Sequence, residues 1–236
     1  MNEVDEANDQ TALEVIAASV ADAVAATAGG ADRLEVLRAI EVGGLTPPLE
    51  TFARIRAATR LPLRVMLRTN GGFGIDAAEL DTLCREATAL RAAGADQFVL
   101  GFLTPDGALD LAAIGAVLAT IAPCRWTLHH AFDHATDRRA AWEVASSLPD
   151  LDLVLSGGEQ GDLAVGLDAL CDRAGWATGR VRWLAGGSLT LAHIPRLRAV
   201  GIGQFHAGRA ARDAGRWDRP IDPGVVRALR EAIERA

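Results

Sequence analysis

The densest group of side chains capable of chemistry is the run His129-His130-Ala-Phe-Asp133-His134. Histidine serves as a general acid or base, a metal ligand or a hydrogen-bonded polar residue, and the run by itself leaves all three roles open. Successive side chains of a regular strand point to opposite faces, so we do not expect His129 and His130 to face one interior together. The candidate acid–base group is therefore His129, with Asp133 as its partner.

Four charged residues interrupt short apolar runs elsewhere in the chain: Glu14, Arg33, Glu35 and Arg68. An isolated buried charge is very costly, so such residues must be paired or hydrogen-bonded. They predict either an internal ion network or the floor of an anion-binding site. Glu35 is a second candidate partner for His129. His206, on the last apolar run, is its candidate partner across the interior, in acid–base chemistry or as a second metal ligand.

Two glycine-containing loops follow the last two apolar runs. They are Gly186-Gly187-Ser188 and Ala207-Gly208-Arg209, and Ser156 begins a similar Ser-Gly-Gly run. Backbone N–H groups of such loops form phosphate cradles in some folds, and an arginine adds a bidentate contact. We predict an anion site here for a phosphate or carboxylate, while tight turns alone also explain double glycines.

These residues sit on a pattern in which short apolar runs alternate with amphipathic stretches eight times. The predicted strands are Leu13–Ala17, Arg33–Leu37, Leu63–Leu67, Gln97–Gly101, Arg125–His129, Leu151–Leu155, Val181–Ala185 and Gln204–His206. The predicted helices are Ser19–Ala28, Leu49–Ala58, Asp76–Ala93, Asp110–Ile121, Arg138–Ser147, Asp162–Ala174, Leu191–Ala199 and Pro223–Arg235. Strands alternating with helices indicate βαβ units and a parallel sheet.

Eight such units in 236 residues predict a single-domain parallel (β/α)₈ TIM barrel over residues 12–236, with residues 1–11 as a flexible tail. An open doubly wound sheet is the alternative. The polar and glycine-rich segments follow the strands, and in barrels the loops after the strands build the site. We therefore expect any functional site at the carboxyl ends of the strands.

Composition narrows the class of protein. Half of the residues are hydrophobic and the net charge is −7, with no basic stripe, which argues against disorder and nucleic-acid binding. No apolar run is long enough for a membrane span and no signal peptide is recognisable, so we expect a cytoplasmic protein. The three cysteines are far apart, which fits a reducing compartment and offers no thiolate cluster for a soft metal. Self-association stays open.

Several short sequence segments resemble those of the CutC copper-homeostasis family, and they occur in the family's order along nearly the whole chain. They are Leu13-Glu-Val, Gly30-Ala-Asp-Arg-Leu-Glu, Gly43-Gly-Leu-Thr-Pro, Met66-Leu-Arg with Gly71-Gly72, Asp106-Gly with Asp110, Thr127-Leu-His with Ala131-Phe-Asp, Leu155-Ser-Gly-Gly, Gly186-Gly187 and Phe205-His206. The resemblance implies a (β/α)₈ barrel and a role in copper homeostasis, with copper as the implied cofactor. The family positions that carry over are Glu14, Arg33, Glu35, Arg68, His129, Asp133 and His206.

The chain also departs from the family pattern. The family's usual cysteines are replaced, the first by Ile16 or Ala17 and the second by Leu37. His130 stands where the family pattern His-Arg-Ala-Phe-Asp has arginine. The resemblance therefore does not extend to a thiolate copper site, and the chain is identified as a divergent member.

Three functions remain open. The first is a CutC-type role in copper homeostasis, with His129 and His206 as candidate copper ligands. The second is an enzyme acting on a small anionic or phosphorylated metabolite. In it His129 is the acid or base, and Arg68, residues 186–188 and residues 208–209 hold the anion. The third is a non-catalytic ligand-binding protein, because a barrel fold alone does not decide function.

Overall fold

Each apolar run of the sequence becomes a strand in the computed structural model, which describes residues 11–236. Within that range the strands are β1 Ala12–Ala17, β2 Arg33–Val36, β3 Leu63–Met66, β4 Gln97–Leu100, β5 Arg125–Leu128, β6 Leu151–Ser156, β7 Arg182–Ala185 and β8 Gln204–Ala207. The main helices there are α1 Val20–Gly29, α2 Leu49–Ala58, α3 Ala77–Ala92, α4 Leu111–Ile121, α5 Arg138–Ser147, α6 Leu163–Arg173, α7 Ile194–Ala199 and α8 Pro223–Arg235.

The strands close into a parallel barrel in chain order, with β8 paired to β1. The predicted TIM barrel is thus confirmed, and the alternative of an open doubly wound sheet is excluded. The predicted tail lies outside the described residues except for Thr11. Between residues 11 and 236 no helix is long and apolar enough to cross a membrane.

Aspartates placed between strands and helices fix where five helices begin. The N-cap carboxylates that accept from first-turn N–H groups belong to Asp76, Asp110, Asp137, Asp162 and Asp222. At α3 the cap is reciprocal, because the Glu79 carboxylate also accepts from the Asp76 N–H. Such caps satisfy donors that a helix end leaves unpaired, and they end each strand-to-helix loop at a set residue.

The main hydrophobic core lies between the barrel and its ring of helices. Phe98, Trp126 and Phe205 are fully buried there. On one side Trp142 of α5 stacks on Trp183 of β7, with ring centroids 4.1 Å apart and planes 29° apart. Rings stacked across a helix and a strand contribute large apolar area and hold the two layers in register.

The floor inside the barrel is polar, and its charged side chains form buried ion pairs. Arg64 on β3 donates to both carboxylate oxygens of Asp152 at 2.7 and 2.6 Å, and to the Thr127 hydroxyl at 2.5 Å. Beside this group, Arg33 on β2 donates to Glu14 on β1 at 2.5 Å. Bidentate pairing of buried ions offsets the cost of removing them from water.

A shift of register between β5 and β6 places Asp152 in this network. Trp126 pairs with Leu151 and Thr127 pairs with Leu153, which leaves Asp152 between the two pairs. A residue at such an irregularity is released from the alternation of the strand. Asp152 therefore meets Arg64, a pairing that strict alternation from Leu153 did not predict.

Candidate functional site at the carboxyl ends of the strands

A cavity of about 810 Å³ opens where the strands end, and its walls are mostly apolar. Its polar or charged lining includes Glu35, Arg68, His129, His130, His134, Ser188, His206 and Arg209. Ile16, Leu37, Met66 and Leu155 contribute apolar surface from the strand ends. An apolar cavity with a few convergent polar groups is typical of a small-molecule site, at the position the sequence predicts.

Three buried ionisable groups meet at the bottom of this cavity. His206 Nδ1 lies 2.8 Å from Glu14 Oε1, and His206 Nε2 lies 3.6 Å from Glu35 Oε2. Glu14 is also the partner of Arg33. A chain of alternating charges therefore runs from the floor up to Glu35 and His206, the two of its members that line the cavity.

The surroundings of Glu14, Glu35 and His206 shift their pKa values in different directions. Burial alone would raise the pKa of Glu14, but Arg33 and His206 outweigh it and hold that pKa well below its ordinary value. Burial raises the pKa of Glu35 to about 7, and the nearby Glu14 carboxylate adds to this despite the attraction of His206. For His206 burial opposes the charge, yet Glu35 and Glu14 together raise its pKa. Carboxyl groups tuned in this way are suited to acid–base work.

His129 is held as a neutral ring. Its Nδ1 accepts a hydrogen bond from the Ala131 N–H at 3.1 Å. Burial, together with the positive charge of Arg68, lowers the pKa of His129 well below its ordinary value. Since Nδ1 is an acceptor, the proton of the neutral ring lies on Nε2, and that atom has no hydrogen-bond partner among residues 11–236.

Asp133 pairs with His130 instead of His129. Its carboxylate lies 2.9 Å from His130 Nδ1 and accepts from the Ser156 hydroxyl at 2.5 Å. β5 ends at Leu128, so both histidines follow the strand and alternation does not apply to them. A 3₁₀ turn over Phe132–His134 brings Asp133 back beneath His130. The expectation that the two histidines face opposite sides is therefore wrong, and both line the cavity.

Arg68 supports the loops around the cavity through its guanidinium. It donates to the carbonyl oxygens of Gly71 at 2.6 Å, and of Gly72 and Gly43 at 3.2 Å. The guanidinium also lies over the Phe73 ring, 4.9 Å from its centroid. These contacts occupy donors that the sequence assigns to an anion, so Arg68 acts first as a tie between the loops after β2 and β3.

The anion site that the sequence predicts would lie on the loops after β7 and β8. Gly187 has φ +85°, and a Cβ there would lie 1.9 Å from the Gly161 carbonyl oxygen, so only glycine fits. The N–H groups of Gly187, Ser188 and Gly208 have no acceptor among the described residues 11–236. Arg209 donates to the Ser188 hydroxyl at 3.1 Å and joins the two loops. Unpaired amides beside an arginine form an environment suited to an anion.

The structure brings seven of the predicted site residues to the cavity wall: Glu35, Arg68, Gly187, His129, His206, Gly208 and Arg209. The other five lie behind that wall: Glu14, Arg33, Asp133, Ser156 and Gly186. Two lining residues that the sequence did not single out for the site are His130 and Trp217. His130 lies two residues after the end of β5. This nearness to the carboxyl end of a strand is the sequence feature that could have identified it as a lining residue. Trp217 follows β8 by ten residues and gave no signal.

The side chains of the described chain do not fit a copper ion. No three His, Cys, Asp or Glu groups within residues 11–236 are arranged to hold a metal. Cys84 and Cys171 lie on outer helices. Cys124 precedes β5 at the opposite end of the barrel, and burial raises the pKa of its thiol to about 11. Copper(I) prefers thiolate and thioether ligands, and of the described residues Met66 alone supplies such a sulfur to the cavity.

Solved structures with this architecture include a CutC protein and a 3-hexulose-6-phosphate synthase. The CutC crystal structure from Streptococcus agalactiae matches with a TM-score of 0.77 at 21% identity, over 84% of this chain and 98% of that one. A 3-hexulose-6-phosphate synthase matches with a TM-score of 0.62 at 21% identity, over 94% and 99% of the two chains. At these identities the likeness shows the fold alone.

Sequence comparison gives the family. A CutC family protein of Xanthomonas axonopodis pv. citri is 36% identical over 197 residues, 83% of this chain and 82% of the relative. The human relative named copper homeostasis protein cutC homolog is 32% identical over 206 residues, 86% of this chain and 75% of that protein. The CutC family model matches residues 11–211. The chain belongs to the CutC family.

Proposed function

We propose that this CutC protein binds a small anionic metabolite in the cavity and moves a proton on it. The single observation that carries the proposal is the pair of buried acid–base groups, Glu35 and His206, facing a cavity of about 810 Å³. Perturbed titratable groups that converge on a cavity are characteristic of functional sites. The names of the relatives support a copper-homeostasis role of the CutC kind, which a metabolite-directed activity can serve without a bound copper ion.

The ligand is expected to be amphipathic. The amides of Gly187, Ser188 and Gly208 and the guanidinium of Arg209 hold its anionic group at one side of the cavity. The apolar part of the ligand lies against the apolar wall that the strand ends form, which includes Leu37. The volume of about 810 Å³ suits a molecule of metabolite size.

Proton transfer is assigned to the bottom of the cavity. Because the pKa of Glu35 is about 7, its carboxyl group can give or take a proton at neutral pH. His206, held by Glu14, balances the charge of Glu35. His129 contributes a neutral Nε2–H donor for a ligand oxygen, which follows from its lowered pKa and from the hydrogen bond at Nδ1.

Inorganic phosphate is the direct probe of the anion site. We expect phosphate to raise the melting temperature of the protein, because it binds the folded state alone. Arg209→Gln should weaken phosphate binding about tenfold, since one charge-assisted contact contributes about 1.4 kcal/mol. Arg216→Gln is the matched control, because Arg216 lies on the same β8–α8 connection but pairs with Asp218. If phosphate does not shift the melting temperature of the unmodified protein, the proposed anion site is wrong.

Copper titration separates this proposal from direct metal binding. Cu(I) added under reducing conditions, followed by metal analysis after desalting, is expected to leave less than one equivalent on the protein. Stoichiometric copper that is lost in His129→Ala and in His206→Ala contradicts the proposal and assigns the cavity to the metal.

A further inference from the structure

A second histidine–carboxylate pair lies at the opposite wall of the cavity from Glu35. Asp133 is completely buried, and its carboxylate accepts three hydrogen bonds. They come from the Ser156 hydroxyl at 2.5 Å, the Gly157 N–H at 2.9 Å and His130 Nδ1 at 2.9 Å. A buried carboxylate with this many hydrogen-bond partners is fixed in one orientation.

The hydrogen bond to Asp133 decides the tautomer of His130. An anionic carboxylate oxygen can only accept, so Nδ1 of His130 carries the proton and Nε2 carries a lone pair. Nε2 has no hydrogen-bond partner within residues 11–236. The ring lines the cavity, and its side chain is 29% exposed. A basic nitrogen is thereby presented to whatever occupies the cavity.

The loop after β6 holds this ring in place. Gly161 has φ +71°, and a Cβ at that residue would lie 3.0 Å from His130 Nδ1, so its backbone passes directly beside the imidazole. Arg138, at the start of α5, donates to the Asp133 carbonyl oxygen and lies 3.4 Å from Glu159 of this loop. Arg138 thus joins the loop to the turn that carries Asp133.

We propose that His130 is a proton-accepting residue of this cavity and that Asp133 is its positioning residue. The inference rests on the proposed function and names a further group for the same site. A hydroxyl group of the ligand, or a water beside it, loses its proton to the Nε2 lone pair. The oxygen keeps the electron pair of the broken O–H bond, the imidazolium is stabilised by the Asp133 carboxylate, and the proton is later returned to the product.

Acetyl transfer from 4-nitrophenyl acetate probes this nitrogen without knowledge of the ligand. Nε2 attacks the acetyl carbon, the ester C–O bond breaks and 4-nitrophenolate leaves; water then releases acetate and regenerates the imidazole. The chain suits the probe because all 24 of its Lys and Arg residues are arginine. Burial also raises the pKa of each cysteine thiol, at Cys84, Cys124 and Cys171, so competing thiolates are scarce.

His130→Gln is expected to lower the protein-dependent release of nitrophenolate at least about tenfold. His193→Gln is the matched control, since His193 lies on the turn before α7, outside the cavity wall, and should leave the rate unchanged. Imidazole added to His130→Ala should restore a saturable part of the rate, which a purely structural role would not allow. Circular dichroism verifies that each variant is folded.

Asp133→Asn tests the positioning role. The asparagine NH₂ group can donate to Nδ1, which places the ring proton on Nε2 and removes the lone pair from the cavity. We expect a lower kcat for the ester with an unchanged KM. Retention of the full rate in His130→Gln, or its loss in His134→Gln alone, overturns the assignment. The ester carries no anion, so a failure of phosphate binding with an active ester reaction counts against the proposed function only.

Discussion

Buried charged groups lie both on the floor of the barrel and at its mouth, the carboxyl-end region where Glu35, His129 and His206 line the cavity. The two regions differ in how closely these groups are paired. On the floor Arg64 is matched to Asp152 and Thr127 with short, bidentate contacts. At the mouth His206 and Glu35 are 3.6 Å apart, and His129 Nε2 has no partner among residues 11–236. The ions of the floor are paired at close range within the protein, whereas the mouth keeps a hydrogen-bond donor, His129 Nε2, for a ligand.

Within one barrel interior, the floor therefore serves the stability of the fold, and the mouth is available for ligand binding. A floor of buried ion pairs can be replaced as a unit, but the removal of one member of a pair is strongly destabilising. A mouth with incompletely matched groups costs stability in the free protein and recovers it when a ligand binds. Substitutions at the two levels should therefore differ in size and in their response to pH.

The largest effect is expected on the floor. Asp152→Ala leaves the buried Arg64 guanidinium without its bidentate partner and should cost about 3–5 kcal/mol of unfolding free energy. Urea denaturation measures this. The double variant Arg64→Met with Asp152→Leu should recover most of the loss, because no unpaired charge remains. A single-variant cost below about 1 kcal/mol would show that the floor is not a closed unit.

The pH dependence of stability sharpens the comparison at the mouth. The pKa of Glu35 rises from 4.5 to about 7 on folding, so the folded protein binds this proton more tightly than the unfolded chain. Its stabilisation is complete below about pH 4.5 and is lost as the pH rises through about 7. His206, whose pKa is also raised, contributes in the same direction above its ordinary value. The contribution of Glu35 and His206 to the unfolding free energy should therefore fall between about pH 5 and pH 8. His129, whose pKa is lowered, contributes in the opposite sense, and its contribution is complete above the ordinary histidine pKa of 6.5.

Glu35→Gln provides the control for that profile. The glutamine has no proton to release, and it removes the carboxylate that supports the charge of His206. The decline between about pH 5 and pH 8 should flatten, by on the order of 2 kcal/mol across the range. An unaltered slope in denaturation curves of this variant would place the titrating group elsewhere.

The smallest effect is expected at His129. His129→Asn keeps an acceptor for the Ala131 N–H and removes the Nε2 donor that has no partner in the described chain. Unfolding free energy should change by less than about 1 kcal/mol. A loss above about 2 kcal/mol would mean that the protein itself satisfies Nε2 and that the mouth is as closed as the floor there.

Periodicity was enough to predict the barrel, because β-strand and helix repeats differ and eight units have few ways to close. The helices Leu49–Ala58, Arg138–Ser147 and Pro223–Arg235 begin and end at the predicted residues. Charged residues within apolar runs also pointed to the interior, where Glu14 and Arg33 do pair.

The features that the sequence could not predict occur where the regular alternation of a strand ends or is interrupted. Asp152 turns toward Arg64 at a register shift, and such a shift depends on how two strands meet in three dimensions. His130 joins the cavity because β5 ends two residues earlier than this histidine. The contacts of Arg68 with three loop carbonyls depend on the folded path of those loops.

The tryptophans offer separate optical signals from the outer shell of helices and from the cavity. Trp142 and Trp183, stacked 4.1 Å apart in the outer shell, are close enough for their excited states to couple and to produce a paired band in circular dichroism. Trp217 is 40% exposed and rests against Gly208 at the cavity. Its fluorescence is accessible to a dissolved quencher, and a bound molecule would shield it. One unlabelled sample can thus report shell integrity and cavity occupancy at different wavelengths.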